Sequence, residues 1–320
     1  MVSFLTPDVT AFGISVVLCQ LLIPLLKRFH VGQQVREDGP KEHLKKSGTP
    51  TMGGVVILFA VFLTSLLFVK RYPRIWPVLF VMLGFGCIGF LDDSLKLLRS
   101  HSMGLAPMQK LLLEAAVTMG FAFYMGIGNM ETKVLIPFTG GLSDGIFLEL
   151  GVWYVPLLFF GMLGCANGAN FTDGIDGLAS GVTLMISAFL AVVSIGAGHQ
   201  SAPVSCAVSG ALLGFLMYNM YPARVFMGDT GSLALGGFVA ASAFLLQIPL
   251  FLVMIGIVYL AEVLSVILQV LVFRLCNGKR LFKMAPIHHH LELCGWEETE
   301  ITALFTILTA VCCVLALFGL

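Results

Sequence analysis

Apolar runs of close to twenty residues, separated by short polar stretches, repeat from one end of this chain to the other. A membrane helix needs about 20 mainly apolar residues to cross a hydrocarbon core of about 30 Å. The runs fall at about 9–29, 52–69, 75–91, 108–128, 151–166, 177–197, 202–218, 233–248, 250–275 and 301–319. They predict an all-α polytopic membrane protein of about ten transmembrane helices, with residues 1–320 forming one domain. The segment 129–150, with Pro137 and Gly140-Gly141, reads as a loop or small hairpin. The ninth run is unusual: its roughly 26 positions reach about 39 Å, so it is expected to tilt strongly, kink or project beyond the bilayer. Glu262 interrupts that run too far from its end for a carboxylate to snorkel, and is expected to face protein or a wet groove. The expected groove admits a lipid chain, with Gln269 nearer the polar face.

Composition agrees with the pattern: 58% hydrophobic residues, 11% charged residues and a mean hydropathy of +0.96 exclude a water-soluble globule. The formal net charge is zero, so no global basic field points to a nucleic-acid partner. Position of charge is more informative than its sum. Placing the N-terminus outside makes the loops after runs 1, 3, 5, 7 and 9 cytoplasmic, and these, with the run ends beside them, hold all the Lys and Arg except Lys70, Arg71, Arg74 and Lys133. Both termini are then extracytoplasmic. The eight cysteines form no C-x-x-C spacing and read as small buried hydrophobes. No basic segment precedes the run near Val9 and no cleavage signal follows, so no removable signal peptide is expected.

The five inner loops hold the candidate chemistry. The first mixes cations, including Lys45 and Lys46, with the glycine and hydroxyl stretch Gly48-Thr-Pro-Thr-Met-Gly-Gly54, a combination suited to phosphate oxygens. The lysines alone would also satisfy the positive-inside bias. The second delivers Asp92 and Asp93 at the end of the third run, where the helix dipole opposes negative charge. Lys96, three and four residues on, can pair with them locally, or hard oxygen ligands can hold a cation such as Mg²⁺. The third reads Asn167-Gly-Ala-Asn-Phe-Thr-Asp-Gly-Ile-Asp-Gly177. With Thr172 as a helix cap, Asn170, Asp173 and Asp176 share one face, although the aspartates could merely complement a helix N-terminus. The fourth runs from Asn219 through Phe226-Met-Gly-Asp229-Thr-Gly-Ser232, and the fifth carries His288, His289 and His290. Three consecutive histidines cannot all face one way on a helix, so they suit phosphate donors better than a metal cage.

Asp92-Asp93 after Gly-Phe, the Asn-x-x-Asn-x-x-Asp-Gly-x-Asp-Gly run, Phe226-Met-Gly-Asp-Thr-Gly-Ser232 and Pro286-Ile-His-His-His290 occur in order on successive inner loops. Together they resemble the polyprenyl-phosphate N-acetylhexosamine-1-phosphate transferases, and the Gly48–Gly54 and triple-His elements resemble that superfamily's muramoyl-pentapeptide branch. Ser94 stands where a Tyr is common, and Gly168-Ala169 and Phe171 where Ala-Val and Leu are frequent. The resemblance implies a Mg²⁺-dependent transfer of phospho-N-acetylmuramoyl-pentapeptide from a UDP carrier to undecaprenyl phosphate, on the cytoplasmic face of a bacterial inner membrane. It assigns Asp229 as metal ligand, Asp92 as base or orienter of the lipid phosphate, and Asp93 as a further catalytic carboxylate. Lys46, Thr51, Lys96, Asn170, Asp173, Asp176, Asn219, Phe226, Gln269, His288, His289 and His290 are implied to line the substrate sites. The implied partners are the two substrates, membrane lipid and a second copy in a homodimer. A sister enzyme carrying N-acetylglucosamine-1-phosphate would share the aspartates, and a secondary transporter would place its carboxylates nearer mid-bilayer.

Overall fold

The computed structural model describes residues 2–28, 48–99, 104–127 and 132–320. Lys45 and Lys46 lie outside the described residues. The helices are α1 (Val2–Arg28), α2 (Gly54–Phe68), α3 (Ile75–Arg99), α4 (Pro107–Ile127), α5 (Tyr154–Thr172) and α6 (Leu178–Gly196). They continue with α7 (Ala202–Asn219), α8 (Gly228–Leu245), α9 (Leu252–Ile255), α10 (Ile257–Leu275), α11 (Ile287–Glu292) and α12 (Glu298–Leu317). Every predicted run holds a helix. By length and composition, seven described helices can cross a membrane: α1, α3, α5, α6, α7, α10 and α12. This is fewer than the ten expected, for identifiable reasons. Helix α2 has only 15 residues, α4 carries Lys110 and Glu114, and α8 opens on the polar Asp229, Thr230 and Ser232.

Helix α8 forms the centre of the bundle, buried continuously from Thr230 to Leu245. Small residues make that possible. A Cβ on Gly236 would lie 2.3 Å from the Cys165 carbonyl oxygen of α5, so only glycine allows this backbone approach. Helices α1 and α7 run in the same direction, joined where Ser15 Oγ donates to the Ala211 carbonyl at 2.8 Å. The outer helices α1, α10 and α12 leave most of their apolar surface uncovered, as lipid-facing helices do.

At one end of the bundle β1 (Lys133–Leu135) pairs antiparallel with β2 (Phe147–Glu149), with Val134 opposite Leu148. The expected hairpin is therefore present, a small exception to an otherwise helical fold. It is tied down by Leu135 N–H to the Gln247 carbonyl (2.8 Å) and Phe138 N–H to the Gly319 carbonyl (2.9 Å). The chain's last residues thus lie at this end, opposite the aspartates.

Three local expectations need correction. Thr172 does not cap a following helix: it is the last residue of α5, and its hydroxyl donates to the Gly168 carbonyl one turn back. Asn170 is therefore helical while Asp173 and Asp176 lie in the turn beyond, so the three share no helix face. Asp92 and Asp93 are not at a helix end either, because α3 continues to Arg99. The ninth run is not one helix. It breaks at Gly256 between α9 and α10, a kink being one of the three outcomes that its length leaves open.

Candidate active site

The aspartate-bearing end of α8 meets α2 and α3 through glycines. A Cβ on Gly89 of α3 would lie 2.1 Å from the Asp229 carbonyl oxygen, and one on Gly54 of α2 would lie 2.2 Å from the Gly231 nitrogen. The segment before α2 is stitched on as well: Gly53 N–H and Gly54 N–H donate to the carbonyls of Phe226 and Met227, and Phe226 N–H to that of Pro50, each at 2.8 Å. Gly228 has φ +73°, and a Cβ there would stand 2.8 Å from Asp93 Oδ2 and 3.0 Å from Thr51 Oγ1. Thr51, Asp93 and Phe226 are thereby held around the start of α8.

Asp93 is a positioning residue for that start. Its Oδ1 accepts from Asp229 N–H at 3.2 Å, and its Oδ2 from Thr230 N–H at 3.0 Å and Thr230 Oγ1 at 2.7 Å. It satisfies first-turn amides of α8 from another helix, the task usually given to an N-cap side chain. Asp92 Oδ1 accepts from Leu105 N–H at 2.7 Å, and its Oδ2 meets Lys96 Nζ at 2.6 Å. Asp229 faces two ammonium groups, Lys110 Nζ at 2.8 Å and Lys96 Nζ at 3.2 Å. Lys96 therefore does more than the local pairing expected of it, bridging α3 to α8. Lys110 was not singled out in the sequence; a lysine beside Glu114 near the start of an apolar run was the available signal.

Oxygens of Asp92, Asp93 and Asp229 all lie within 4.8 Å of one another. Among the described residues this donor set contains only carboxylates, which suits a hard divalent cation and not a soft one. The fit has a condition: Asp93 is committed to α8 and Lys96 already neutralises Asp92 and Asp229. A cation would have to displace Lys96 Nζ, with Asp229 and Asp92 as ligands through the oxygens that Lys96 now meets.

The turn after α5 packs beside this cluster. Asp173 is partly buried, and burial, with the Asp229 and Asp93 carboxylates nearby, raises its carboxyl well above the ordinary range against the opposing effect of the Gly228 N–H. Asp176 fixes the turn: its Oδ2 accepts from Ala223 N–H at 2.8 Å and its own N–H donates to Glu298 Oε1 at 2.5 Å. Asn170 Nδ2 donates to Ser232 Oγ at 3.0 Å. Asn219 is buried and internally satisfied, accepting from Ser180 Oγ (2.7 Å) and donating to the Val225 carbonyl (3.0 Å), which makes it a structural tie between α6, α7 and the following loop.

The histidines divide as helical geometry requires. His288 is fully buried on α11, its Nδ1 3.0 Å from Glu262 Oε1, while Glu262 Oε2 accepts from Ile287 N–H at 2.9 Å. Glu262 therefore faces protein, as expected, and orients His288 through a carboxylate–imidazole pair. The other edge of that ring presses on the 173–177 turn, where a Cβ on Gly174 would lie 2.1 Å from His288 Nε2. His289 Nδ1 pairs with Glu292 at 2.6 Å, and His290 Nδ1 accepts from Lys283 N–H at 3.2 Å. Gln269 clamps the loop before them, accepting from Leu281 and Phe282 N–H and donating to the Phe282 carbonyl.

Fold and site together define a helical membrane protein with a buried carboxylate–lysine centre at one end of its bundle. Residues 75–247 match the model of glycosyl transferase family 4, and residues 46–58 match signature 1 of the phospho-N-acetylmuramoyl-pentapeptide-transferases. The chain is 48% identical over 313 residues to the phospho-N-acetylmuramoyl-pentapeptide-transferase of Clostridium kluyveri, covering 97% of each chain. It is 46% identical to the enzyme of that name from Clostridium botulinum (97% of this chain, 94% of the other) and from Clostridium perfringens (98% and 97%). The chain belongs to the phospho-N-acetylmuramoyl-pentapeptide-transferase family.

Proposed function

We propose that this protein transfers phospho-N-acetylmuramoyl-pentapeptide from its UDP carrier to undecaprenyl phosphate, at the cytoplasmic face of a bacterial inner membrane. The observation that carries this reading is the gathering of Asp92, Asp93, Asp229, Lys96 and Lys110 at one end of a membrane bundle. An oxygen of the lipid phosphate forms a bond to the sugar-linked phosphorus. The bond from that phosphorus to the bridging oxygen breaks, and UMP leaves with that oxygen. The second pKa of a phosphate monoester is about 6, so the acceptor is largely ionised at neutral pH and needs an orienting group more than a strong base.

Asp92, held by Leu105 N–H, orients the acceptor in this reading, and Asp93 keeps Asp229 in position. Mg²⁺ would be held by Asp229 and Asp92, and when bound supplies neutralisation of phosphate charge. Displaced from the aspartates, Lys96 and Lys110 are free to meet phosphate oxygens. Lys46, Thr51, Asn170, Phe226, His289 and His290 bind the nucleotide-sugar, with Asp173, Asp176, Asn219, Gln269 and His288 shaping that site. All ten apolar runs cross the bilayer, both termini lie outside, and the enzyme works as a homodimer. The test is conversion of radiolabelled nucleotide-sugar to a butanol-extractable lipid by purified protein with undecaprenyl phosphate and Mg²⁺. Absence of that lipid, its undiminished formation in excess EDTA, or preference for an N-acetylglucosamine donor would overturn the reading.

A further inference from the structure

Glu114 on α4 is fully buried, yet the proposed reaction gives it no task. Its Oε2 accepts from Asn167 Nδ2 at 2.8 Å, and that amide is itself held in place, donating also to the Leu163 carbonyl at 2.9 Å. Among the described residues its other oxygen, Oε1, has no hydrogen-bond partner. A buried carboxylate oxygen without a donor is costly, so it calls for a partner that reaches it in another state of the protein. Lys110 stands one turn earlier on the same helix, at the i, i+4 spacing that lets an ammonium and a carboxylate meet. Helical side chains lean toward the N-terminus, so the Glu114 carboxylate is directed to the turn that carries Lys110. In this structure Lys110 Nζ is engaged elsewhere, 2.8 Å from Asp229 Oδ2. Lys110 and Asp229 both lie close enough to act on the charge of Glu114.

Resting on the function and the cation proposed above, we propose that Glu114 is a second seat for Lys110, whose ammonium moves from Asp229 Oδ2 to Glu114 Oε1 when a divalent cation binds. Glu114 is then a positioning residue, acting on the site through the lysine. A cation on Asp229 competes with the ammonium now there, and an ammonium released into an apolar bundle needs a counter-charge. Glu114 supplies it one turn away. The seat keeps the displaced lysine beside the aspartates, with N–H donors to spare for phosphate oxygens. No covalent bond changes and no proton moves; one ion pair is given up and another is made. The two carboxylate oxygens divide the work: Asn167 fixes Oε2 and leaves Oε1 open.

Binding of Mn²⁺ to the full-length, substrate-free enzyme in detergent, read by electron paramagnetic resonance, tests this without turnover. Glu114→Gln keeps an acceptor for Asn167 and is expected to weaken Mn²⁺ binding by about tenfold, the scale of one charge-assisted hydrogen bond. In a Lys110→Met background no ammonium needs a seat, and the same substitution is expected to change the affinity by less than about twofold. Asn167→Ala has the opposite sign: it frees Oε2 for Lys110 as well, so Mn²⁺ should bind more tightly than to wild type. A Glu114 that is only structural would lower the melting temperature and leave the Mn²⁺ affinity of Glu114→Gln at the wild-type value, which would sink the seat. An equal loss in the Lys110→Met background would also overturn it, by making Glu114 a charge that acts on the cation directly. If Glu114→Gln does not fold, Asn167→Ala decides alone, and unchanged or weaker binding there overturns the proposal. Wild-type enzyme that binds no Mn²⁺ would remove the proposed cation and the exchange with it, a result distinct from binding that is indifferent to Glu114.

Discussion

The α3–α8 junction and the α10–α11 arm each bury a carboxylate beside a cationic or protonatable partner, but by different means. At the junction, glycines bring three helix backbones together, and Asp93 distributes three accepted hydrogen bonds over the first turn of α8. In the arm, one carboxylate, Glu262, holds one imidazole and one amide, and Gln269 with Lys283 ties down the neighbouring loop. Backbone packing fixes position to the precision that charge stabilisation needs. A few side-chain hydrogen bonds hold an element less firmly, which suits the substrate-binding role proposed for its histidines.

The comparison can be broken most directly at Asp229. Asp229→Asn keeps the shape and removes the charge, and is expected to lower kcat by about 10²-fold or more while the protein still folds. Near-normal turnover in the lipid-product assay would remove the junction from the chemistry. Next in size is Gly89→Ala, whose methyl meets the Asp229 carbonyl; the helices must separate, at a cost of about 1–3 kcal/mol. Detergent thermal melts would show it, against Gly196→Ala, where nothing lies within 4 Å. Equal melts for the two would mean that the backbone approach is not what holds the junction.

Glu262→Gln addresses the arm. It keeps the side chain's size but removes the charge facing His288, and is expected to raise KM for the nucleotide-sugar by about tenfold with a smaller change in kcat. A loss confined to kcat would place the arm in the chemistry and erase the contrast. The smallest effect is expected at Asp173, whose carboxyl is raised by burial and neighbouring carboxylates. Keeping it ionised costs stability at neutral pH, and that cost disappears as pH falls through its raised folded value toward the ordinary 3.8. Asp173→Asn should therefore melt higher than wild type at neutral pH without Mg²⁺, and the gap should narrow on acidification. A gap that widens at lower pH would contradict this sign.

Much of this was legible in the sequence because a bilayer leaves few choices: the apolar runs, the hairpin gap and the polar run ends holding Asp92, Asp229 and His288 all follow from hydropathy. The length of the ninth run called for a tilt, a kink or a projection beyond the bilayer, but did not choose among them or mark Gly256 as the place of a break. Pairings were not legible. Lys110 reaches Asp229 across 119 positions, and nothing in either neighbourhood advertises the partner. Thr172 had the residue type of a cap, but tertiary packing extended α5 through it and left its hydroxyl to a bond within the helix. Gly54 looked like a ligand-approach residue, yet it serves contact between elements of the protein itself, as Gly89 and Gly174 also do.

The bond from Asp176 N–H to Glu298 joins the turn beside the aspartates to the first residue of the last helix, 122 positions later. During synthesis the membrane helices before α12 can enter the bilayer before Glu298 exists, and until then the turn lacks this partner. Completion of that turn is therefore tied to arrival of α12. A nascent chain presents its aspartates and lysines early, but the surface that would offer them a nucleotide-sugar is finished last.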